Sequence, residues 1–322
     1  MDTRFGMTIP FDNVPLHAQR EWIVELEGLG YTDVWSAEAN GADAFTPLAL
    51  ASVWAPSLRL GTAIVPAFTR GPACLAQSVA SLADAAPGRV AFGIGTSSNV
   101  IVQGWNGIPF EDPYQRTKDM VRFLRAALAG EKVTMETPSF SVRSFTLGVR
   151  PEQPVPILIA ALREGMLALA GRDGDGAIIN WLSAEDVTTV VPIVQAAAGG
   201  ADREIVARIF VAPTDDADKV RAMGRFAIAA YLNVPVYAAF HEWLGRGEIL
   251  GEMWRLWKEG DRQAALAAIP DQVVDDLIVW GPAEKCREHI ARYVEHGVTT
   301  PALALLPFGI DARQAIRDLA PR

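Results

Sequence analysis

The chain has 322 residues, half of them apolar, and a formal net charge of −9, so it can fill the core of one large domain or two small ones. This acidic balance argues against nucleic acid or an anionic membrane surface as a main partner, because both are bound through basic surfaces. The sequence shows no secretory signal and no apolar run of 18 residues, so we expect no membrane span and a cytoplasmic protein.

The two cysteines, Cys74 and Cys286, stand in unrelated contexts. They fit neither a disulfide framework nor the spacing of a zinc site, and no cluster of histidine and cysteine suggests another metal. We therefore expect two buried free thiols in a reducing compartment and no metal.

Short apolar runs alternate with amphipathic helical stretches over the first 130 residues. We predict strands at residues 4–11, 32–38, 58–66 and 90–98, and helices at residues 16–30, 43–56, 73–88 and 112–130. This alternation indicates stacked βαβ units and a parallel sheet, and the near-continuous apolar character of the strands indicates burial on both faces.

The alternation is interrupted twice after residue 130. Residues 131–150 alternate apolar and polar side chains, which predicts an exposed hairpin, and residues 216–270 form a long helical stretch rich in aromatic side chains. The remaining predicted strands lie at residues 154–162, 176–182, 204–213 and 299–308, and the remaining helices at 164–171, 184–198 and 282–296.

Eight principal strands, near residues 5, 33, 60, 91, 157, 177, 207 and 303, predict a TIM (β/α)8 barrel in a single domain of residues 1–322. The insertions at about 131–150 and 216–270 account for the length beyond the roughly 250 residues that such barrels usually have. A doubly wound sheet is the alternative, but eight units without a break in composition favour the closed barrel.

The fourth predicted strand ends in VAFGIGTSSN, residues 90–99, whose glycines raise the question of a dinucleotide fingerprint. A Rossmann fingerprint has a third glycine where this chain has Ser98, and it follows the first strand rather than the fourth. At the catalytic face of a barrel, Gly95 would let a ligand approach the backbone, and Thr96, Ser97 and Ser98 would offer hydrogen bonds without bulk. The stretch predicts a site for a phosphate, a ribityl chain or a carboxylate, with a tight polar turn as the alternative.

Two other strand ends offer charged candidates. Glu38, after the second strand, is our candidate for a catalytic acid or a hydrogen-bond partner of a ligand ring, although it could instead cap the helix that begins near Asp43. Arg163, Glu164 and Gly165 begin the helix after the fifth strand, where a helix N-terminus beside an arginine can hold an anion.

The substrate candidates come from the sixth strand and the aromatic insertion. The sixth strand ends at Asn180 and Trp181, which we expect to contact the substrate. The insertion could roof a substrate pocket with Tyr231, Tyr237, Phe240 and Trp243, or the same side chains could form core or a dimer contact. Within the insertion, Tyr237 and His241 are our candidates for substrate contacts.

The strand ends carry no Ser/His/Asp set, no obvious acid–base pair and no metal cluster. Most of their side chains are small, neutral or apolar. Such a barrel indicates that a flavin-like cofactor supplies the reactivity and that the protein supplies its position.

Three segments in the first half of the chain resemble the bacterial luciferase-like superfamily, namely GYTDVWSAEANGADAFTPLALAS (30–52), RLGTAIVPAFTRGP (59–72) and GRVAFGIGTSSNVIVQGWNGIPFEDPYQRTKD (88–119). The resemblance continues in VPILIAALREGMLALAGRDGDGAIINWLS (155–183) and PDQVVDDLIVWGPAEKCREHI (270–290). It covers most of the chain and points to the coenzyme F420-dependent oxidoreductases within that superfamily.

The resemblance implies a TIM barrel, usually dimeric, that binds the deazaflavin at the carboxyl ends of its strands. It implies a non-prolyl cis peptide in a bulge behind the ring, at Ala63–Ile64 and next to Val65 in this chain. It also implies that residues 95–98 contact the ring or its side chain, and that residues 162–165 contact the phosphate tail.

Two positions depart from the family pattern. The family often has a histidine after the acidic position of the second strand, where this chain has Ala39 and Asn40, and this argues against sugar-phosphate dehydrogenation. The family commonly has Gly-Pro in the turn where this chain has Leu162, Arg163, Glu164.

The function that these observations predict is an F420-dependent oxidoreductase. It would transfer a hydride between C5 of the deazaflavin and a small organic substrate, such as an activated alkene, an imine or a carbonyl compound, and it would act as a homodimer. The alternatives are an FMN-dependent luciferase-like monooxygenase and a cofactor-binding barrel without turnover.

Overall fold

The computed structural model describes residues 3–321 and shows a closed barrel of eight parallel strands surrounded by helices. In chain order the strands are β1 (Gly6–Thr8), β2 (Asp33–Ser36), β3 (Arg59–Thr62), β4 (Val65–Pro66), β5 (Val90–Gly95), β6 (Val133–Glu136), β7 (Ser141–Phe145), β8 (Ile157–Ala160), β9 (Gly176–Asn180), β10 (Glu204–Ala212), β11 (Val279–Trp280) and β12 (Thr300–Leu305). The barrel runs β1-β2-β3-β5-β8-β9-β10-β12 and closes where β12 pairs with β1. The predicted TIM barrel is confirmed, and the doubly wound sheet is wrong.

The helices connect successive strands on the outside of the barrel. They are α1 (Arg20–Gly28), α2 (Phe45–Trp54), α3 (Pro72–Ala85), α4 (Pro113–Leu128), α5 (Glu164–Asp173), α6 (Val187–Ala197), α7 (Ala217–Leu232), α8 (Pro235–His241), α9 (Gly247–Glu259), α10 (Arg262–Ala267), α11 (Asp271–Leu277), α12 (Ala283–Glu295) and α13 (Ala312–Asp318). A 3₁₀ turn (Leu16–Ala18) and two π-helical segments (Val100–Trp105 and Glu242–Arg246) complete the helical structure. No helix within residues 3–321 has the length and apolar character needed to cross a membrane.

Both predicted insertions lie at their expected places. Strands β6 and β7 pair antiparallel in a sheet of their own, outside the barrel order, which confirms the hairpin. Helices α7 to α10 and the second π segment occupy the helical insertion, and α11 extends it to residue 277. The sequence prediction missed α13, which follows the last strand and whose N-terminus is capped by Asp311.

The indole of Trp35, which is 1% exposed, fills the interior of the barrel. Gly6 on β1 and Gly61 on β3 face this ring, and a Cβ added at Gly61 would lie 2.2 Å from a ring carbon. Small and aliphatic side chains fill the rest of this layer, namely Ala91, Leu158, Ile178, Val206 and Ala302. The interior at this level is therefore packed, and the space for a ligand lies above it, at the carboxyl ends of the strands.

An ion cluster closes the opposite end of the barrel, where the strands begin. Arg59 Nη1 donates to Glu204 Oε2 at 3.0 Å, and Arg59 also pairs with Asp33, which Arg4 Nε contacts at 2.8 Å. Burial opposes ionisation of Glu204, but the hydrogen bonds and the charge of Arg59 hold the pKa of this carboxyl below its usual value. Each buried charge in the cluster thus has an opposite charge as its partner, as burial requires.

The two cysteines differ in environment. Cys286 is buried, and burial raises the pKa of its thiol to about 12. Cys74 is exposed, so the prediction of two buried thiols is wrong for this residue. The reason is its position on α3, where Leu75, Ala76 and Val79 form the face that is buried against the barrel.

His241 at the end of α8 is fully buried, which is not expected of a candidate substrate contact. Burial, with a smaller contribution from the charge of Arg246, lowers the pKa of its imidazole to about 4. The ring is therefore neutral in the folded protein at pH 7, whereas an unfolded chain takes up its proton near pH 6.5.

We expect Gly61→Ala to destabilise the protein, because the added methyl group would displace the indole of Trp35 and overpack the barrel. The expected loss in the free energy of unfolding is about 1–3 kcal/mol, measured by urea denaturation. Gly28→Ala is the matched control: a Cβ there meets no atom within 4 Å, and alanine in a helix gains up to about 1 kcal/mol over glycine. Equal effects of the two substitutions would contradict the packing around Trp35.

We expect the folded protein to lose stability as the pH falls from about 6.5 toward 4, because the unfolded chain binds the proton of His241 first. Between pH 7 and pH 5, protonation of His241 in the unfolded chain should lower the free energy of unfolding by about 2 kcal/mol. His241→Gln should remove that part of the pH dependence in urea denaturation, whereas His17→Gln, at an exposed position, should leave it unchanged. The same pH dependence of stability in the wild type and in His241→Gln would contradict the attribution of this loss to His241.

Candidate functional site

A bulge interrupts the barrel between β3 and β4. At the bulge, the side chain of Thr62 forms hydrogen bonds with the backbone of β5. Its hydroxyl accepts from the Gly93 N–H at 2.7 Å and donates to the Gly93 carbonyl at 2.8 Å. The next peptide bond, Ala63–Ile64, is cis, as the family resemblance predicts, and β4 then rejoins β5 from Val65 onward. The bulge lifts Ala63 and Ile64 out of the strand pairing at the mouth of the barrel.

The bulge is fixed by hydrogen bonds to the segment after β2. The Ala63 N–H donates to the Ser36 carbonyl at 2.6 Å, and the Glu38 N–H donates to the Ile64 carbonyl at 3.0 Å. On its other side, Ile64 contacts Gly95 at the end of β5: a Cβ at Gly95 would lie 3.2 Å from Ile64 Cδ1 and 2.8 Å from the Cβ of Ala160. Glycine at this position therefore lets the bulge, β5 and β8 meet closely.

A cleft of about 650 Å³ opens beside this junction, between the carboxyl ends of β5 and β8. Its volume lies within the range of roughly 300–1,000 Å³ that is usual for small-molecule and cofactor sites. Thr96, Ser97 and Ser98 form its polar wall, and Ser97 has the left-handed backbone conformation, with φ 61°. Four of the predicted cofactor-binding positions, residues 95–98, thus lie at or beside one cleft.

The N-terminus of α5 forms the opposite end of this cleft, which Arg163, Glu164 and Gly165 line. No side chain caps the helix, so its first N–H groups are available to a ligand. Arg163 is exposed and forms no ion pair within residues 3–321, and it can add a positive charge to the helix end. Glu164 is the one acidic group in this turn and opposes the binding of an anion.

The remaining walls of the cleft are apolar. They are formed by Val236 at the start of α8, Trp243 in the second π segment, Phe110 and Tyr114. Of the predicted aromatic roof, the structure thus places Trp243 on the cleft. An apolar slot with a hydroxyl-lined wall and a helix N-terminus at one end can hold a flat aromatic ring that carries an anionic tail.

Glu38 lies beside a second, smaller cleft of about 470 Å³. Its carboxylate is 14% exposed and accepts hydrogen bonds from the guanidinium of Arg70, with Nε at 3.2 Å. Asp43, and not Glu38, caps α2 by accepting from the N–H groups of Phe45 and Thr46 at 2.9 and 3.0 Å. The capping alternative for Glu38 is therefore wrong, and its catalytic role stays a prediction.

The four predicted substrate-binding residues separate into two pairs. Asn180 and Tyr237 are brought together, with Asn180 Nδ2 donating to Tyr237 Oη at 3.2 Å. Trp181 is 1% exposed and stacks on Phe210 with ring centroids 4.0 Å apart, and His241, the last residue of α8, is fully buried. None of the four residues lines either cleft, and all four substrate contacts stay predictions.

Sequence reasoning missed two arginines near the mouth of the barrel, Arg70 and Arg208. Arg70 follows β4 and binds Glu38. Arg208 is the one charged residue in the interior of the apolar run IVARIFVA, and this interruption of a buried strand is a signal that could have identified it.

Comparisons with known proteins agree with this geometry. Residues 3–300 match the sequence profile of the luciferase-like monooxygenase family. The chain is 26% identical to the 5,10-methylenetetrahydromethanopterin reductase of Methanolobus tindarius, over 97% of each chain.

Two solved structures share the fold over nearly their whole length. One is the coenzyme F420-dependent tetrahydromethanopterin reductase of Methanopyrus kandleri, with a TM-score of 0.81, 21% identity, and coverage of 99% of this chain and 98% of that one. The other is an F420-dependent secondary alcohol dehydrogenase in complex with an F420-acetone adduct, with a TM-score of 0.79, 20% identity and full coverage of both chains. The chain belongs to the luciferase-like monooxygenase family, a family of oxidoreductases.

Proposed function

We propose that this chain is an F420-dependent oxidoreductase that transfers a hydride between the deazaflavin and a small organic substrate, such as an activated alkene, an imine or a carbonyl compound. The main support is the junction at Gly95, where the Ala63–Ile64 bulge, β5 and β8 meet beside a cleft that ends at the uncapped N-terminus of α5. The relatives whose names include F420 support the choice of cofactor.

The residues of the cleft suit the parts of this cofactor. Ile64 and Ala160 would contact the ring, because Gly95 leaves no side chain between them. Thr96, Ser97 and the first N–H groups of α5 would bind the polar chain and the phosphate, and the bulge at Val65 would hold this wall in place. Arg163 would neutralise part of the phosphate charge.

When reduced F420 is bound, it supplies a hydride from C5 of its ring to an electrophilic carbon of the substrate. The protein's contribution would be position: residues at the end of the barrel would hold the cofactor ring and the substrate next to one another. The apolar side chains of Val236 and Trp243 line the cleft and would shield a bound ring from water. Glu38, whose N–H is bonded to the bulge at Ile64, would position the ring or exchange a proton with the substrate.

The family profile is named for monooxygenases, which supports FMN as the alternative cofactor. An FMN enzyme would use oxygen, and the same helix N-terminus would bind its single phosphate. The homodimer and the cytoplasmic location stay predictions, which light scattering and cell fractionation would test.

The test of the cofactor is a titration of the purified protein with F420 and, separately, with FMN, following the quenching of tryptophan fluorescence. We expect saturable quenching by F420, part of which Trp243→Phe should remove because Trp243 lines the cleft. Preference for FMN would favour the oxygen-using alternative, and binding of neither cofactor would favour the barrel without turnover.

Two substitutions at the start of α5 should change F420 affinity in opposite directions. Arg163→Gln removes a positive charge and should weaken binding about tenfold or more, whereas Glu164→Gln removes a repulsive carboxylate and should strengthen it. Both affinities come from the same fluorescence titration. If neither changes, the tail does not bind at α5.

Glu38→Gln should lower F420-linked turnover by about 100-fold or more while F420 binding is retained, if this carboxylate acts as an acid or base. Asp43→Asn is the control, because Asp43 Oδ1 also lies near Arg70, 3.8 Å from its Nη2. Asparagine at this position preserves the helix cap. Unchanged turnover in Glu38→Gln would exclude a catalytic role.

A further inference from the structure

Arg208 on β10 faces the interior of the barrel. Residues of this strand alternate in direction: Val206 packs in the interior beside Trp35, and Ile205 and Ile209 pack against the outer helices. Arg208 shares the direction of Val206, and its guanidinium lies 5.1 Å from the ring centre of Phe210, the next interior residue along the strand.

The level of Arg208 in the barrel follows from the strand register. Arg208 is opposite Asn180 on β9 and opposite Ala302 on β12, and Ala302 is opposite Gly6 on β1. Asn180 is the last residue of its strand. Arg208 therefore lies at the upper surface of the layer that Trp35 fills, where the mouth of the barrel begins.

Arg208 has no anionic partner in the part of the chain that the structure describes. Its side chain is partly buried, its Nε is fully buried without a hydrogen-bond partner, and its guanidinium lies over the face of Phe210. The other interior charges, Asp33, Arg59 and Glu204, pair with one another at the closed end of the barrel. A partly buried cation without an anion lacks the charge partner that burial favours, and a bound anion would supply it.

The neighbours of Arg208 also have unused hydrogen-bonding capacity. Tyr237 Oη accepts from Asn180 Nδ2, and this leaves the tyrosine hydroxyl hydrogen free to donate. Burial raises the pKa of Tyr237 to about 12, and the charge of Arg208 acts on this hydroxyl. Asn180 Oδ1 is buried without a partner. Two donors and one acceptor thus lie together beneath α8.

We propose that Arg208 determines substrate specificity and that it selects substrates that carry a carboxylate. The single guanidinium matches a monoanion, whereas a phosphate dianion would leave one charge uncompensated at this position. Tyr237 would donate to the second carboxylate oxygen, and Asn180 Oδ1 would accept from a hydroxyl or amino group of the same substrate. This proposal rests on the proposed function for the chemistry, but the binding of the carboxylate can be measured independently.

The probes are crotonate and crotonamide, which have the same shape and differ in charge. We expect calorimetric titration of the full chain, with and without F420, to give a dissociation constant for crotonate at least tenfold lower than that for crotonamide. Arg208→Gln should abolish this preference and Arg208→Lys should retain part of it. Arg255→Gln, which changes the same charge at an exposed surface ion pair, should leave the preference intact.

Thermal unfolding of Arg208→Gln separates recognition from a structural role. Removal of an unpaired, partly buried charge should leave the midpoint unchanged or raise it, whereas a residue needed for the fold would lower it. A lowered midpoint would overturn the proposal, as would equal affinities for the two probes in the wild type. A preference for crotonate that persists in Arg208→Gln would overturn it as well.

The F420 titration distinguishes this proposal from the proposed function. Loss of F420 binding in Arg208→Gln with the crotonate preference unchanged would mean that Arg208 binds the cofactor, and would overturn the proposal. A crotonate preference that depends on Arg208 in a protein that binds neither F420 nor FMN would support the proposal while rejecting the proposed function.

Discussion

The packing of Trp35 inside the barrel is the constraint on which the rest of the structure depends. One indole occupies the space that Gly6 and Gly61 leave on the neighbouring strands. Because this layer is filled, the barrel is not a channel, and a ligand can approach from the end at which the strands finish. The ion cluster of Asp33, Arg59 and Glu204 closes the other end.

The bulge at Ala63–Ile64 determines how the open end is divided. It is bonded to the segment after β2 on one side and contacts Gly95 on the other. The larger cleft therefore lies toward β5 and β8, and the cleft of Glu38 and Arg70 lies toward β2. The bulge thus separates the two clefts at the open end of the barrel.

Two unpaired charged groups at the open end of the barrel, among the described residues, are positive, although the net charge of the chain is negative. The net charge is −9, yet Arg163 and Arg208 are cations at the open end that form no ion pair within residues 3–321. Arg163 is exposed at a helix N-terminus, whereas Arg208 is partly buried beside an aromatic ring. Under the two proposals above, an anionic tail and an anionic substrate would therefore have separate cationic partners.

The sequence by itself determined the barrel, because eight apolar strands at regular spacing, separated by amphipathic helices, have few other arrangements in which both faces of each strand are buried. It also located residues 95–98 and 163–165, since strand ends meet at one face of a barrel. It did not reveal that Glu38 binds Arg70, that Trp181 and His241 are buried, or that Cys74 is exposed. The partners and burial of these side chains depend on which helix packs against which strand end. Local sequence patterns do not predict that packing. The significance of Arg208 likewise depends on the tertiary structure, because within residues 3–321 its buried Nε has no hydrogen-bond partner.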